Sequence, residues 1–106
     1  MVFTEIDRHT MSQLSTLVML SAPFKNREEI IIHAGQYMGV PKVETMSVIQ
    51  EWDELDTMPL NSEQEKQNFL EYCFAFMKGN RAPRKSEQEL YSHVAKSLGL
   101  KARSNN

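Results

Sequence analysis

Apolar residues recur along this chain at three- and four-residue spacing and almost never alternate. Met11, Leu14, Leu17 and Val18 fall on one face of a helix expected over residues 8–20. Ser21, Ala22 and Pro23 should stop it, because proline disfavours helix in the residue before it. Asn26 is placed to cap a second helix, with Glu28 and Glu29 in a first turn where the helix dipole favours acids. Gly39 should end that helix by adopting the left-handed conformation. Pro41 suits the first turn of a third helix running to about Leu55, which gathers Val48, Ile49, Trp52 and Leu55 on one face. Residues 57–61, with Pro59, read as a loop.

Ser62 opens the tetrapeptide SEQE, a capping box that predicts a fourth helix. Phe69, Leu70, Cys73, Phe74, Phe76 and Met77 make this helix strongly apolar, either the central core helix or an oligomer interface. A homodimer through residues 62–78 is therefore expected. Gly79 ends the helix, and the basic loop GNRAPRK follows. Ser86 begins a second SEQE and is expected to cap a fifth helix reaching about Leu98, with Gly99 as terminator. No segment shows convincing strand alternation, and no low-complexity tract or long linker interrupts the pattern. The reading is an all-α, compact five-helix single domain over 1–106, with a basic tail at about 101–106.

Composition narrows the class. An apolar fraction of 41% beside a charged fraction of 25% belongs to a folded globular chain rather than a disordered one. The seven methionines read first as fillers of irregular gaps in a helical core. Cys73 is the single cysteine, so no internal disulfide forms. Within CFAFM it reads as a small buried hydrophobe, which suits a reducing compartment. The opening MVFTEIDRHT lacks the basic start and apolar stretch of a secretory signal, and no apolar run approaches a membrane span. A cytoplasmic protein without a membrane segment is expected.

The chain carries an internal echo. With Gly39 aligned on Gly99, sixty residues apart, Ile30 pairs with Leu90, His33 with His93, and Ala34 with Val94. Gly35 pairs with Ala95, Met38 with Leu98, and Val40 with Leu100. Asn26 and Ser86 take the two cap positions. Shared start and stop rules for helices produce such an alignment as readily as duplication does. Residues 28–52 resemble the helix-turn-helix of DNA-binding regulators: Gly35 is the small residue across which a second helix packs, and Gly39 makes the turn. Met38, Val40 and Val48 supply the flanking hydrophobes. Thr45 departs from the pattern, standing where a larger aliphatic residue is usual. Residues 88–103 repeat the front of the motif in part.

Charge is divided sharply. Residues 1–77 hold five Lys or Arg against twelve Asp or Glu, a net of −7; residues 78–106 hold seven against two, a net of +5. Nucleic-acid binding needs cations against phosphates. If the resemblance holds, Lys42, Thr45 and Ser47 would face bases from the start of the third helix, while Arg81, Arg84, Lys85, Lys101 and Arg103 would face phosphates. The acids Glu44, Glu51, Asp53 and Glu54 oppose that use of the third helix. They motivate an alternative, a docking face for a basic partner protein at Glu51, Trp52, Asp53, Glu54 and Asp56. Trp52 shares a face with Val48, Ile49 and Leu55, which places it in the core.

Catalytic motifs are missing from the pattern. There is no nucleotide-binding glycine loop and no His or Cys cluster with metal spacing. His33 and His93 each follow a glutamate by four residues, the spacing of a weak surface pair on a helix. The expectation is a non-enzymatic protein without metal or cofactor. It is either a small helix-turn-helix transcription regulator that binds DNA or a small protein-binding modulator. Small regulators and inhibitors of phages and mobile elements offer a class analogy for the latter.

Overall fold

A computed structural model describes residues 8–100 of the chain. Five α-helices follow in order: α1 (Arg8–Ser21), α2 (Arg27–Tyr37), α3 (Lys42–Glu51), α4 (Glu63–Lys78) and α5 (Lys85–Ser97), with a 3-10 turn at Trp52–Glu54. The fold is all-α, as the apolar spacing predicts.

The centre of the core is α1, not the more apolar α4. Every residue from Gln13 to Val18 is buried, so α1 is enclosed on all sides, touching α2, α3, the 3-10 turn and α5. Helix α4 spans α2 and α5, against which Phe69, Leu70, Cys73 and Met77 are buried. Phe74 and Phe76 of the same run are only partly buried. Tyr72 stays exposed on its outer face, edge-on to Phe76 with ring centroids 4.6 Å apart. The apolar count is misleading for α1 because four of its buried residues, Gln13, Ser15, Thr16 and Ser21, are polar. The Ser15 hydroxyl donates to the Asp56 carbonyl at 2.6 Å, and Thr16 Oγ1 accepts the Met58 N–H at 2.8 Å. Two buried hydroxyls thereby pin the segment after the 3-10 turn onto α1.

Helix starts follow the expected chemistry only in part. At α4 the capping box is complete: Glu65 N–H donates to Ser62 Oγ, and Ser62 N–H to Glu65 Oε1, both at 3.0 Å. At α2 the expected side-chain cap is absent. Asn26 instead takes a left-handed φ of 63°, a conformation asparagine tolerates better than most residues. It turns the chain while Arg27 reaches back to the Val18 carbonyl at 2.7 Å and closes the end of α1. At α5 the cap moves two residues upstream of the expected Ser86. Arg84 is the cap residue, its N–H donating to Glu87 at 2.8 Å, and Ser86 lies inside the first turn. The third helix also stops short of Leu55, yielding to the 3-10 turn at Trp52. Pro41 sits one residue ahead of the first turn rather than in it.

Helix ends are more uniform. Gly39 and Gly99, at φ 87° and 76°, close α2 and α5 with matching bonds. Gly39 N–H reaches the Gln36 carbonyl at 3.1 Å and Val40 N–H the Gly35 carbonyl at 2.7 Å. Gly99 N–H reaches Lys96 at 3.0 Å and Leu100 N–H reaches Ala95 at 2.8 Å. Both are Schellman turns with an apolar residue just beyond the glycine.

Candidate functional site

Gly35 lies where α2 meets α3. A β-carbon there would overlap Thr45 Oγ1. The same contact overturns one expectation: Thr45 is fully buried, so it cannot face bases. A residue that packs across the small position on α2 necessarily points inward, and a threonine fits because the gap is narrow. Its hydroxyl has no hydrogen-bond partner. Ser47 is half-buried and turns its hydroxyl back to the Val43 carbonyl on its own helix, at 3.3 Å. Of the three residues expected at bases, only Lys42 is exposed.

The basic loop is also altered by its neighbours. Arg81 binds Glu87 through two parallel hydrogen bonds, Nη1 to Oε1 at 2.9 Å and Nη2 to Oε2 at 2.6 Å. Glu87 is 3% exposed and accepts the Arg84 N–H as well. The Arg81 guanidinium, together with that backbone donor, holds the Glu87 carboxyl below the usual carboxylate range although its burial works the other way. Arg81 is therefore a structural cation, committed to the protein's own carboxylate rather than to phosphate. Arg84 and Lys85 remain exposed. Lys101 and Arg103 lie outside the described residues. Arg84 and Lys42, from elements far apart in sequence, line one cleft of about 440 Å³ between α2, the start of α3 and the start of α5, where Glu29 and Glu87 face them.

The exposed side of α3 also carries an apolar surface next to Lys42. Val43 is 66% exposed and Met46 42%, with Gln50, Asp53 and Glu54 exposed beyond them. Steps of three and four residues put these side chains on one stripe of the helix, continuing into the 3-10 turn. Glu28 of α2 joins Met46, Ile49 and Gln50 in a small cleft beside the stripe. Asp56 is exposed, while Glu51 is half-buried. Trp52 is half-buried and packs on the core, as its spacing predicts, leaving the acids as the outward part of that turn. The Ser15 and Thr16 bonds to residues 56 and 58 hold the acidic turn in place. Sequence reasoning passed over Val43 and Met46. Their signal was present: both are apolar yet fall off the face shared by Val48, Ile49 and Trp52.

Other reactive groups are committed or enclosed. Cys73 is buried, and that burial pushes its thiol far above the usual range. His93 Nε2 bonds the Ala22 carbonyl at 2.9 Å, tying α5 to the loop after α1. His33 lies tilted against Tyr37, ring centroids 5.0 Å apart, and its Nε2 is buried without a partner. Among the described residues no three His, Cys, Asp or Glu side chains gather as a metal site, and no helix is long and apolar enough to cross a membrane. Comparison of the chain with protein-family models, curated proteins and solved structures finds no match.

Proposed function

We propose that this chain is a non-enzymatic binding protein that docks a basic, amphipathic segment of another protein on the outer stripe of α3. The observation that carries this reading is the stripe itself: two exposed apolar side chains, Val43 and Met46, continuous with the exposed acids Asp53 and Glu54. Apolar residues at the centre of a patch supply affinity, and acids at its edge select a cationic partner. The same stripe argues against DNA, because the helix that a helix-turn-helix regulator lays in the major groove here offers one lysine and a run of acids. Phosphates would be repelled by Asp53 and Glu54, and Arg81 is already neutralised.

The test uses a peptide of lysine and leucine with helical apolar spacing, titrated against the isotope-labelled chain. Shifts confined to Val43, Met46, Gln50 and Asp53, abolished in Met46→Glu and weakened by salt, support the proposal. A mobility-shift titration with random duplex DNA at low salt provides the opposing outcome. Binding that fades when Lys42 and Arg84 become alanine, with no peptide response at α3, would return the chain to the DNA-binding regulators.

A further inference from the structure

The cleft lined by Lys42 and Arg84 calls for a ligand of another kind. We infer that it is a binding site for a small hydroxyl-bearing phosphomonoester. Its volume of about 440 Å³ falls within the range of ligand pockets, about 300–1,000 Å³. Two cations there, Lys42 and Arg84, are exposed and engaged in no ion pair among the described residues. They come from the first turn of α3 and the cap of α5. Arg81 and Glu87 cancel each other and form a fixed wall beside Arg84. A phosphate dianion matches the two free cations in charge.

The rest of the lining sets the class of molecule that carries the phosphate. Glu29, Gln36 and Ser86 place an acceptor, an amide and a hydroxyl around the cleft. Those groups suit sugar-like hydroxyls better than an aromatic body. Glu29 would repel a bare anion but accepts a hydrogen bond from a hydroxyl. His33 lines the same cleft with a buried Nε2 that nothing in the protein satisfies. A nucleic-acid strand fits less well, because its successive phosphates need successive cations and here meet Glu29 and Glu87.

Three probes test the site on the labelled chain: glycerol 3-phosphate, glycerol and inorganic phosphate. Glycerol 3-phosphate should shift amides at residues 29–36, at 42 and at 84–87 in a saturable way. Inorganic phosphate should bind the same place more weakly, and glycerol should not bind. Lys42→Ala and Arg84→Ala should each weaken glycerol 3-phosphate about tenfold, as loss of one charge-assisted contact implies. Glu29→Gln should narrow its advantage over inorganic phosphate. Met46→Ala, which weakens the α3 stripe without adding a charge beside Lys42, should leave all of this unchanged, so the site and the docking reading fail separately. Absence of saturable shifts up to about 20 mM ligand overturns the inference. So do diffuse shifts at every exposed lysine, affinity untouched by both cation variants, or tighter binding of a short DNA duplex at the same amides.

Discussion

Where α2 ends, Gly39 and Val40 return their N–H groups to Gln36 and Gly35; where α5 ends, Gly99 and Leu100 do the same to Lys96 and Ala95. The echo in the sequence is real at the level of backbone hydrogen bonds and of the buried pairs Ile30/Leu90 and Ala34/Val94, and weakens beyond them. At the centre of the first copy Gly35 admits Thr45 of the next helix, whereas Ala95 is buried without such a requirement. His93 is bonded to Ala22, while its counterpart His33 has a nitrogen without partner. The starts differ most: α2 begins on a left-handed Asn26, and α5 begins on the Arg84 cap held by Glu87 and Arg81. Repeated turn chemistry thus creates repeated local structure, and tertiary packing assigns each copy a separate task.

The largest effect should come from filling the one close approach. Gly35→Val drives two methyl groups into the fully buried Thr45 and should cost about 3 kcal/mol, read from denaturant unfolding. Gly35→Ala should cost less and be partly rescued by Thr45→Ala, since the second change removes the atom in conflict. Ala95→Gly, the matching exchange in the other copy, should lose only about 1 kcal/mol of helix propensity. Equal costs at positions 35 and 95 would mean that the two copies pack alike.

The turns themselves should respond in parallel. Gly39→Ala meets no nearby atom, so its cost is the left-handed backbone alone, about 1–2 kcal/mol. Gly99→Ala faces the same open space and the same φ sign, and should lose about as much as Gly39→Ala. These ends were legible in advance because glycine acts locally. The pattern of apolar positions likewise located all five helices to within a few residues. Thr45 was not legible, since its direction depends on how closely α2 approaches α3, a distance no spacing reveals. Nor was the Arg81–Glu87 pair, because a four-residue motif centred on Ser86 concealed a cap two residues earlier. The central place of α1 was hidden for a related reason: Ser15 and Thr16 look like surface residues until the 56–58 segment arrives to bond them.

A smaller change should separate the two helix starts by pH. The Glu87 carboxyl is held below its ordinary range in the folded chain, first by Arg81. A depressed acid contributes stability that is complete above its unfolded pKa, about 4.3, and that fades as pH falls through the folded value. Glu87→Gln should therefore lower the thermal midpoint at pH 7 and lose that difference on strong acidification. The shift stays modest because the Arg81 side chain is 34% exposed and regains water when released. A difference that persists undiminished to low pH would show that packing, not charge, holds this start. Glu29→Gln in the first turn of α2 provides the control, having no such clamp.

The smallest effect should fall at Asn26, and it separates two ways a helix can begin. If the side chain capped α2, Asn26→Ala and Asn26→Gly would both sacrifice a hydrogen bond. In the structure no such bond exists and the residue spends its tolerance on a φ of 63°. Glycine adopts that conformation without a steric cost, so Asn26→Gly should be neutral to within about 0.5 kcal/mol, a small gain offset by a more flexible unfolded chain. Alanine keeps the β-carbon and gives up asparagine's local compensation, so Asn26→Ala should cost about 1 kcal/mol. That order, glycine above alanine by thermal unfolding, is the signature of a turn residue. Alanine equal to glycine, with both below asparagine, would restore the cap and make the start of α2 resemble the serine-capped start of α4.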